Sequence, residues 1–153
     1  MREIIYFDTS ALAKWYLNEP RSEDVEDYIR RRGPVDISDL TVLEMRCLLS
    51  RRRREGNIDS KTETKVFATF EEDTRQKFLI CHPLGAGLTL GAVNILSILS
   101  DLPIRTLDAL HLAIAREIQA ETLATADRVM AKGARVLGLS VVRFDTVRSA
   151  SRP

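Results

Sequence analysis

The stretch Ile4–Leu12, IIYFDTSAL, runs four large apolar residues straight into a carboxylate and two hydroxyls. A short apolar run without alternation reads as a strand covered on both faces, as in a parallel sheet. A helical pattern starts at once, from Ser10 to Asn18. It stops before Pro20 and carries Leu12, Trp15 and Tyr16 at i, i+3, i+4 spacing. Asp8 sits at the junction. It is either local punctuation, a cap on the following helix, or one arm of a site that residues far along the chain complete.

The same alternation continues to the end of the chain. Further strand signals stand at Val35–Ile37 (VDI), Phe78–Cys81 (FLIC), Thr122–Thr125 (TLAT) and Val141–Phe144 (VVRF). Helical patterns fill the gaps. One starts near Ser22 and ends at Gly33-Pro34. Another runs from Asp39 to Glu55, with Gly56 just past its end. A third starts at Ser60 with Glu63 as its capping-box partner. Three more follow at Leu88–Leu99, Leu107–Gln119 and Arg128–Leu137. Strands separated by helices imply right-handed crossovers. The expected architecture is therefore α/β, a three-layer α/β/α sandwich on a roughly five-stranded parallel sheet. Residues 1–145 form one domain in this reading, and 146–153 a polar tail.

Composition sets limits. The charged residues nearly cancel, to +1, so only local clusters can argue for a charged partner. Cys47 and Cys81 form no CxxC pair and no disulfide framework, and both lie in apolar patterns that suggest core positions. A reducing cytoplasm is the expected setting. Arg2, Glu3 and Asp8 interrupt any signal-peptide core. The most apolar later stretch, Gly87–Pro103, is too short and too polar at its ends to span a bilayer.

Four acids occupy positions that a purely structural reading does not ask for. Asp8 follows the first strand and Asp127 follows TLAT. Both fall on one edge of the sheet if the two strands are parallel, and that edge is where α/β folds place their sites. Glu44, in DLTVLEMRCLL, shares a 3.6-residue face with Leu40, Cys47 and Leu48. Asp108 is set in the apolar TLDALHLAIA. Each has a plain alternative: Asp8, Asp108 and Asp127 as helix caps or dipole partners, and Glu44 at the rim of its stripe with its head in water. Together the plain readings weaken, because four converging carboxylates repel one another unless cations lie between them. All-oxygen ligation without histidine suits Mg²⁺ or Mn²⁺.

The ordered set YFDTSAL, SDLTVLEMRCLL, LDALHLA and LATADRVM followed by LGLSVV resembles the PIN-domain nucleases, and most closely the VapC-type toxins of toxin–antitoxin modules. The resemblance covers nearly the whole chain. It implies a Mg²⁺-dependent endoribonuclease that cleaves RNA to leave a 5′-phosphate and a 3′-hydroxyl. Carried over residue by residue, it implies an acidic metal site at Asp8, Glu44, Asp108 and Asp127, lined by Ser10 and Thr125. It also implies a cognate antitoxin and a homodimer, with the early helices contributing to both surfaces. On this basis Asp8 and Asp108 are the expected principal ligands of one ion. Asp127 completes the shell directly or through water. Glu44 binds a second ion or orients the attacking water. Asp8 then reads as a ligand, with Ser10 as the cap beside it.

The remaining polar residues supply secondary expectations. Arg51–Arg54 end the helix that carries Glu44, so Arg51, Arg52 and the nearby Arg46 are candidate RNA contacts, with Lys61 and Lys65 as possible additions. Arg30–Arg32 form a second basic run. Basic residues at helix C-termini also serve the helix dipole, and an antitoxin could cover the same surface. His82 reads as a strand-end residue. His111 reads as a packed, hydrogen-bonded residue that could steer Asp108. Two rival classes remain. A phosphatase or receiver-like phosphoryl-transfer domain also binds Mg²⁺ beside a strand-end aspartate, but Ser10 stands where the phosphatase needs a second acid. A PIN-like fold kept only for binding has no use for four acids.

Overall fold

The apolar runs of the sequence become the five strands of one sheet in the computed structural model, which describes residues 2–145. The strands are β1 (Ile5–Phe7), β2 (Val35–Ser38), β3 (Leu79–His82), β4 (Thr122–Thr125) and β5 (Ser140–Arg143). Their order is β3-β2-β1-β4-β5, and every neighbouring pair is parallel. The helices are α1 (Thr9–Tyr16), α2 (Ser22–Arg32), α3 (Asp39–Arg54), α4 (Ser60–Arg75), α5 (Leu88–Ile98), α6 (Thr106–Glu117) and α7 (Arg128–Val136). The tail expected at 146–153 lies outside the described residues.

β1 is buried at all three positions and divides the core by side-chain alternation. Ile5 and Phe7 point into the layer made by α1 to α4, against Leu12, Val25, Tyr28, Met45 and Phe70. Tyr6 points into the layer made by α5 to α7, against Ile95, Leu112 and Met130. Burying large side chains on both faces at roughly 1.5–3 kcal/mol each makes this strand the anchor of the domain. The chain winds outward from β1 through β2 to β3, then crosses back to the other side of β1 to form β4. The reversal places a topological switch point between β1 and β4. The carboxyl ends of these two strands lie side by side there, with Phe7 opposite Ala124 and the Asp8 N–H donating to the Ala124 carbonyl at 3.1 Å.

Several boundaries differ from the expected ones. Helix α4 is capped by Asp59, whose carboxylate accepts from the Thr62 N–H at 2.7 Å, not by a Ser60–Glu63 box. Glu63 is instead drawn inward, to ion pairs with Arg46 and Arg53. Phe78 stays outside β3 and exposed, because its N–H is tied back to the Asp73 carbonyl at the end of α4. Phe144 lies past β5 and packs on Phe7 and Tyr28, with ring centroids at 6.3 and 5.8 Å. In α3 the buried stripe is Leu40, Thr41, Met45 and Leu49. Cys47, expected in the core, is therefore exposed. Among the described residues no helix is long and apolar enough to cross a membrane.

Candidate active site

The four acids are delivered by four different elements to the carboxyl-end edge of the sheet. Asp8 follows β1 and is almost fully buried. Its extended backbone makes it the N-cap of α1, so the cap is Asp8 itself and not Ser10. The Asp8 Oδ1 accepts from the Ala11 N–H at 3.0 Å and the Ser10 hydroxyl at 2.7 Å. Its Oδ2 accepts from the Thr125 hydroxyl. Burial pushes the Asp8 carboxyl above its ordinary value, against the opposing pull of His111 and these donors. Ser10 also accepts the Ala126 N–H at 2.9 Å, and Thr125 accepts the Asp127 N–H at 3.0 Å. The two hydroxyls thus lock the start of α1 to the end of β4.

Asp127 caps α7, its Oδ1 accepting from Val129 N–H at 2.8 Å and Met130 N–H at 2.9 Å. Asp108 stands in the first turn of α6, half-buried, 3.4 Å from the Arg105 N–H. Its carboxyl is raised by burial first, then by the charges of Asp127 and Asp8. The fold has therefore brought Asp108 within electrostatic reach of Asp127 and of Asp8, which comes from the opposite end of the chain. None of the three makes an ion pair with a lysine or arginine among the described residues.

Glu44 stands beside this group without sharing a hydrogen bond with it. Its Oε1 accepts from the Thr9 hydroxyl at 2.6 Å and from His111 Nε2. Burial pushes the Glu44 carboxyl up, but His111 and Thr9 together outweigh burial and hold it below its usual value. His111 thus contacts Glu44, not Asp108. Sequence reasoning missed Thr9 and Tyr6 altogether. The adjacency of Thr9 to Asp8 was the only available signal for Thr9. Tyr6, inside an apolar strand, offered none.

The donor set fits a hard dication in its chemistry: carboxylate oxygens alone, held in one place against mutual repulsion. Among the described residues no group of three or more His, Cys, Asp or Glu side chains is arranged to hold a metal ion as it stands. Ligation through three of them would require the side chains to draw together.

A groove of about 430 Å³ opens beside the acids, lined by Thr9, Ser10, Glu44, Arg51, Arg52 and Leu107 among others. Arg52 is half-buried and paired with Glu19, while Arg51 is exposed. Arg46 is turned away from the groove: it pairs with Glu63 and lies over the Phe67 ring, 4.9 Å from its centroid. Lys61 and Lys65 are exposed on α4. In the second basic run Arg30 pairs with Glu26, and Arg32 pairs with Glu3 and covers the Tyr28 ring. His82 closes β3 and reaches the fully buried Asp36 at 2.9 Å, which Arg2 also grips through two nitrogens at 2.6 and 2.8 Å. This cluster is structural. Cys81 donates to Asp39 at 3.4 Å, and burial with that bond pushes its thiol up to about 12.

A parallel sheet with acids at its switch point defines a class of protein, and the comparisons agree with it. The PIN domain profile matches residues 5–136. The chain belongs to the PIN domain family. It is 31% identical over 141 residues to ribonuclease VapC46 of Mycobacterium tuberculosis, covering 90% of this chain and 95% of that one. The fold also matches the crystal structure of M. tuberculosis VapC20, described as a sarcin–ricin loop cleaving toxin. The TM-score there is 0.69 at 19% identity, over 91% of this chain and 98% of that one. VapBC2 of Rickettsia felis, solved bound to a DNA fragment from its promoter, matches with a TM-score of 0.66 at 16% identity, over 93% and 99% of the two chains.

Proposed function

We propose that this protein is a divalent-cation-dependent endoribonuclease, the toxin of a VapBC-type toxin–antitoxin pair, acting in the cytoplasm. The observation that carries the reading is the cluster of Asp8, Asp108 and Asp127, buried or half-buried, mutually repelling, and without a basic partner among the described residues. Such a cluster costs stability unless a cation occupies it. The relatives support the rest: one is named a ribonuclease, another a sarcin–ricin loop cleaving toxin, and a third is VapBC2 bound to a DNA fragment from its promoter.

In this reading Asp8 and Asp108 hold Mg²⁺ or Mn²⁺, with Asp127 reaching it directly or through water. When bound, the ion supplies charge neutralisation for the phosphate and acidifies a water. The chain does the remainder. Ser10 and Thr125 fix the Asp8 carboxylate by donating to both of its oxygens. Glu44, with one oxygen held by Thr9 and His111, orients the attacking water or serves a second ion. Arg51 and Arg52 meet backbone phosphates that enter the groove. The proposed products are a 5′-phosphate and a 3′-hydroxyl. A homodimer is part of the proposal, as is an antitoxin laid over the groove.

Restoring Mg²⁺ to EDTA-treated protein should restore RNA cleavage, and cleavage without any divalent cation would contradict the reading. The arginines give a second check. Arg51→Ala should weaken RNA binding and reduce the slope of log affinity against log salt by about 0.7, the value for one lost phosphate contact on a single strand. Arg46→Ala should leave that slope unchanged and instead cost about 1 kcal/mol of stability, through Glu63 and the Phe67 ring. Salt titrations of fluorescent RNA binding and chemical denaturation separate the two effects.

A further inference from the structure

His111 is 2% exposed and lies on α6 against both the sheet and α3. Its Nδ1 is 2.7 Å from the Tyr6 hydroxyl, and its Nε2 meets Glu44 Oε1. Tyr6, fully buried on β1, lies 2.9 Å from the Ser38 hydroxyl at the end of β2. The Thr9 hydroxyl donates to the same Glu44 oxygen at 2.6 Å. Glu44 Oε2 takes part in none of these bonds, and Glu44 lines the groove.

The direction of the chain follows from what each group can give. An ionised carboxylate only accepts, so Nε2 carries the hydrogen of the His111–Glu44 bond. A phenol keeps its hydrogen at neutral pH, so Tyr6, 2.7 Å from Nδ1, can donate it there. Ser38 then donates to the Tyr6 oxygen. With the ring neutral, the bonds run one way, from Ser38 through Tyr6 and His111 to Glu44. They join β2, β1, α6 and α3, of which β1 leads into Asp8, α6 carries Asp108 and α3 carries Glu44. A buried, fully connected set of this kind fixes a side chain more firmly than any one bond does.

We propose that His111 is the positioning residue of this site: its ring, fixed by Tyr6 with the hydrogen on Nε2, pins Glu44 Oε1 and leaves Oε2 to the groove beside the aspartates. What Glu44 does there rests on the nuclease reading; the ring's tautomer and its link to Glu44 do not.

Two measurements test the proposal. Nitrogen-15 spectra of the imidazole rings in the metal-free protein should show His111 with a protonated Nε2 and an unprotonated Nδ1. The Nε2 resonance should move in Glu44→Gln and stay in place in Asp108→Asn. Tyr6→Phe should shift the Nδ1 resonance while Glu44 keeps the hydrogen on Nε2. In steady-state cleavage of an RNA oligonucleotide with Mg²⁺, His111→Leu should lower kcat by about 10- to 100-fold with KM little changed. His111→Gln, which keeps an N–H donor, should recover most of that loss. A hydrogen on Nδ1, or a folded His111→Leu with unaltered kcat, would overturn the proposal. Wild-type protein that shows the predicted ring spectrum yet cleaves no RNA would instead overturn the nuclease reading and leave the link to Glu44 standing.

Discussion

Asp8→Asn is expected to lower kcat for RNA cleavage by about a thousandfold while the protein stays folded. The two halves of that expectation come from different atoms. An asparagine oxygen can still accept from the Ala11 N–H and the Ser10 hydroxyl, so the cap on α1 survives. The amide nitrogen then faces the Thr125 hydroxyl, which can turn from donor to acceptor. What disappears is the negative charge. If Asp8 is a principal metal ligand, as proposed, its loss removes several kcal/mol of transition-state stabilisation, and each 1.36 kcal/mol is about tenfold in rate. Kinetics beside a thermal melt check both halves. Activity within tenfold of wild type would place the chemistry elsewhere.

The second large effect is on stability, and its sign is opposite to that of most substitutions. Asp108 is pushed up by burial and by the charges of Asp127 and Asp8. A carboxyl raised in the folded state ionises more readily in the unfolded chain, so it works against folding once the pH passes the ordinary carboxylate range. Asp108→Asn should therefore stabilise the metal-free protein at pH 7, and the gain should vanish as the pH falls and the wild-type carboxyls become protonated. Half-exposure and solvent screening hold the gain to about 1 kcal/mol, or about 2–4 °C in Tm. Cations should reverse the ranking. At a hundred times its Kd, Mg²⁺ stabilises the wild type by about 2.7 kcal/mol and the variant hardly at all. Melts with and without Mg²⁺ report both signs, and equal Mg²⁺ shifts in the two proteins would contradict the ligand role. A site that destabilises its own fold until a cation binds would be one form of the trade between stability and activity.

The sheet was legible because short apolar runs bounded by Gly, Pro and acids admit few other readings, and because each was long enough to identify but too short for a helix. Finding Asp8 and Asp127 at adjacent strand ends required only that β1 and β4 be parallel. What stayed hidden depended on tertiary choice. Helix α3 offers two competing stripes, Leu40–Glu44–Cys47–Leu48 and Leu40–Thr41–Met45–Leu49, about one residue apart around the axis. The fold buries the second, because Thr41 can bond the Ser38 N–H inside the core at 3.2 Å. That rotation exposes Cys47 and leaves Glu44 half-buried beside Thr9 and His111. Glu63 was misread for a similar reason, since its pull toward Arg46 and Arg53 outweighs a local cap and no spacing rule encodes those contacts. Long-range polar pairing decides these positions, and hydrophobic periodicity carries little information about it.

If the aspartate cluster hydrolyses RNA with the help of a divalent cation, the ends of the products report that chemistry. A labelled RNA incubated with the protein in Mg²⁺, and in parallel with EDTA, should be cut only in the first reaction, yielding 5′-phosphate and 3′-hydroxyl ends. Cleavage that persists in EDTA and leaves 2′,3′-cyclic phosphates would contradict it, because that chemistry needs an acid–base pair and not a metal site.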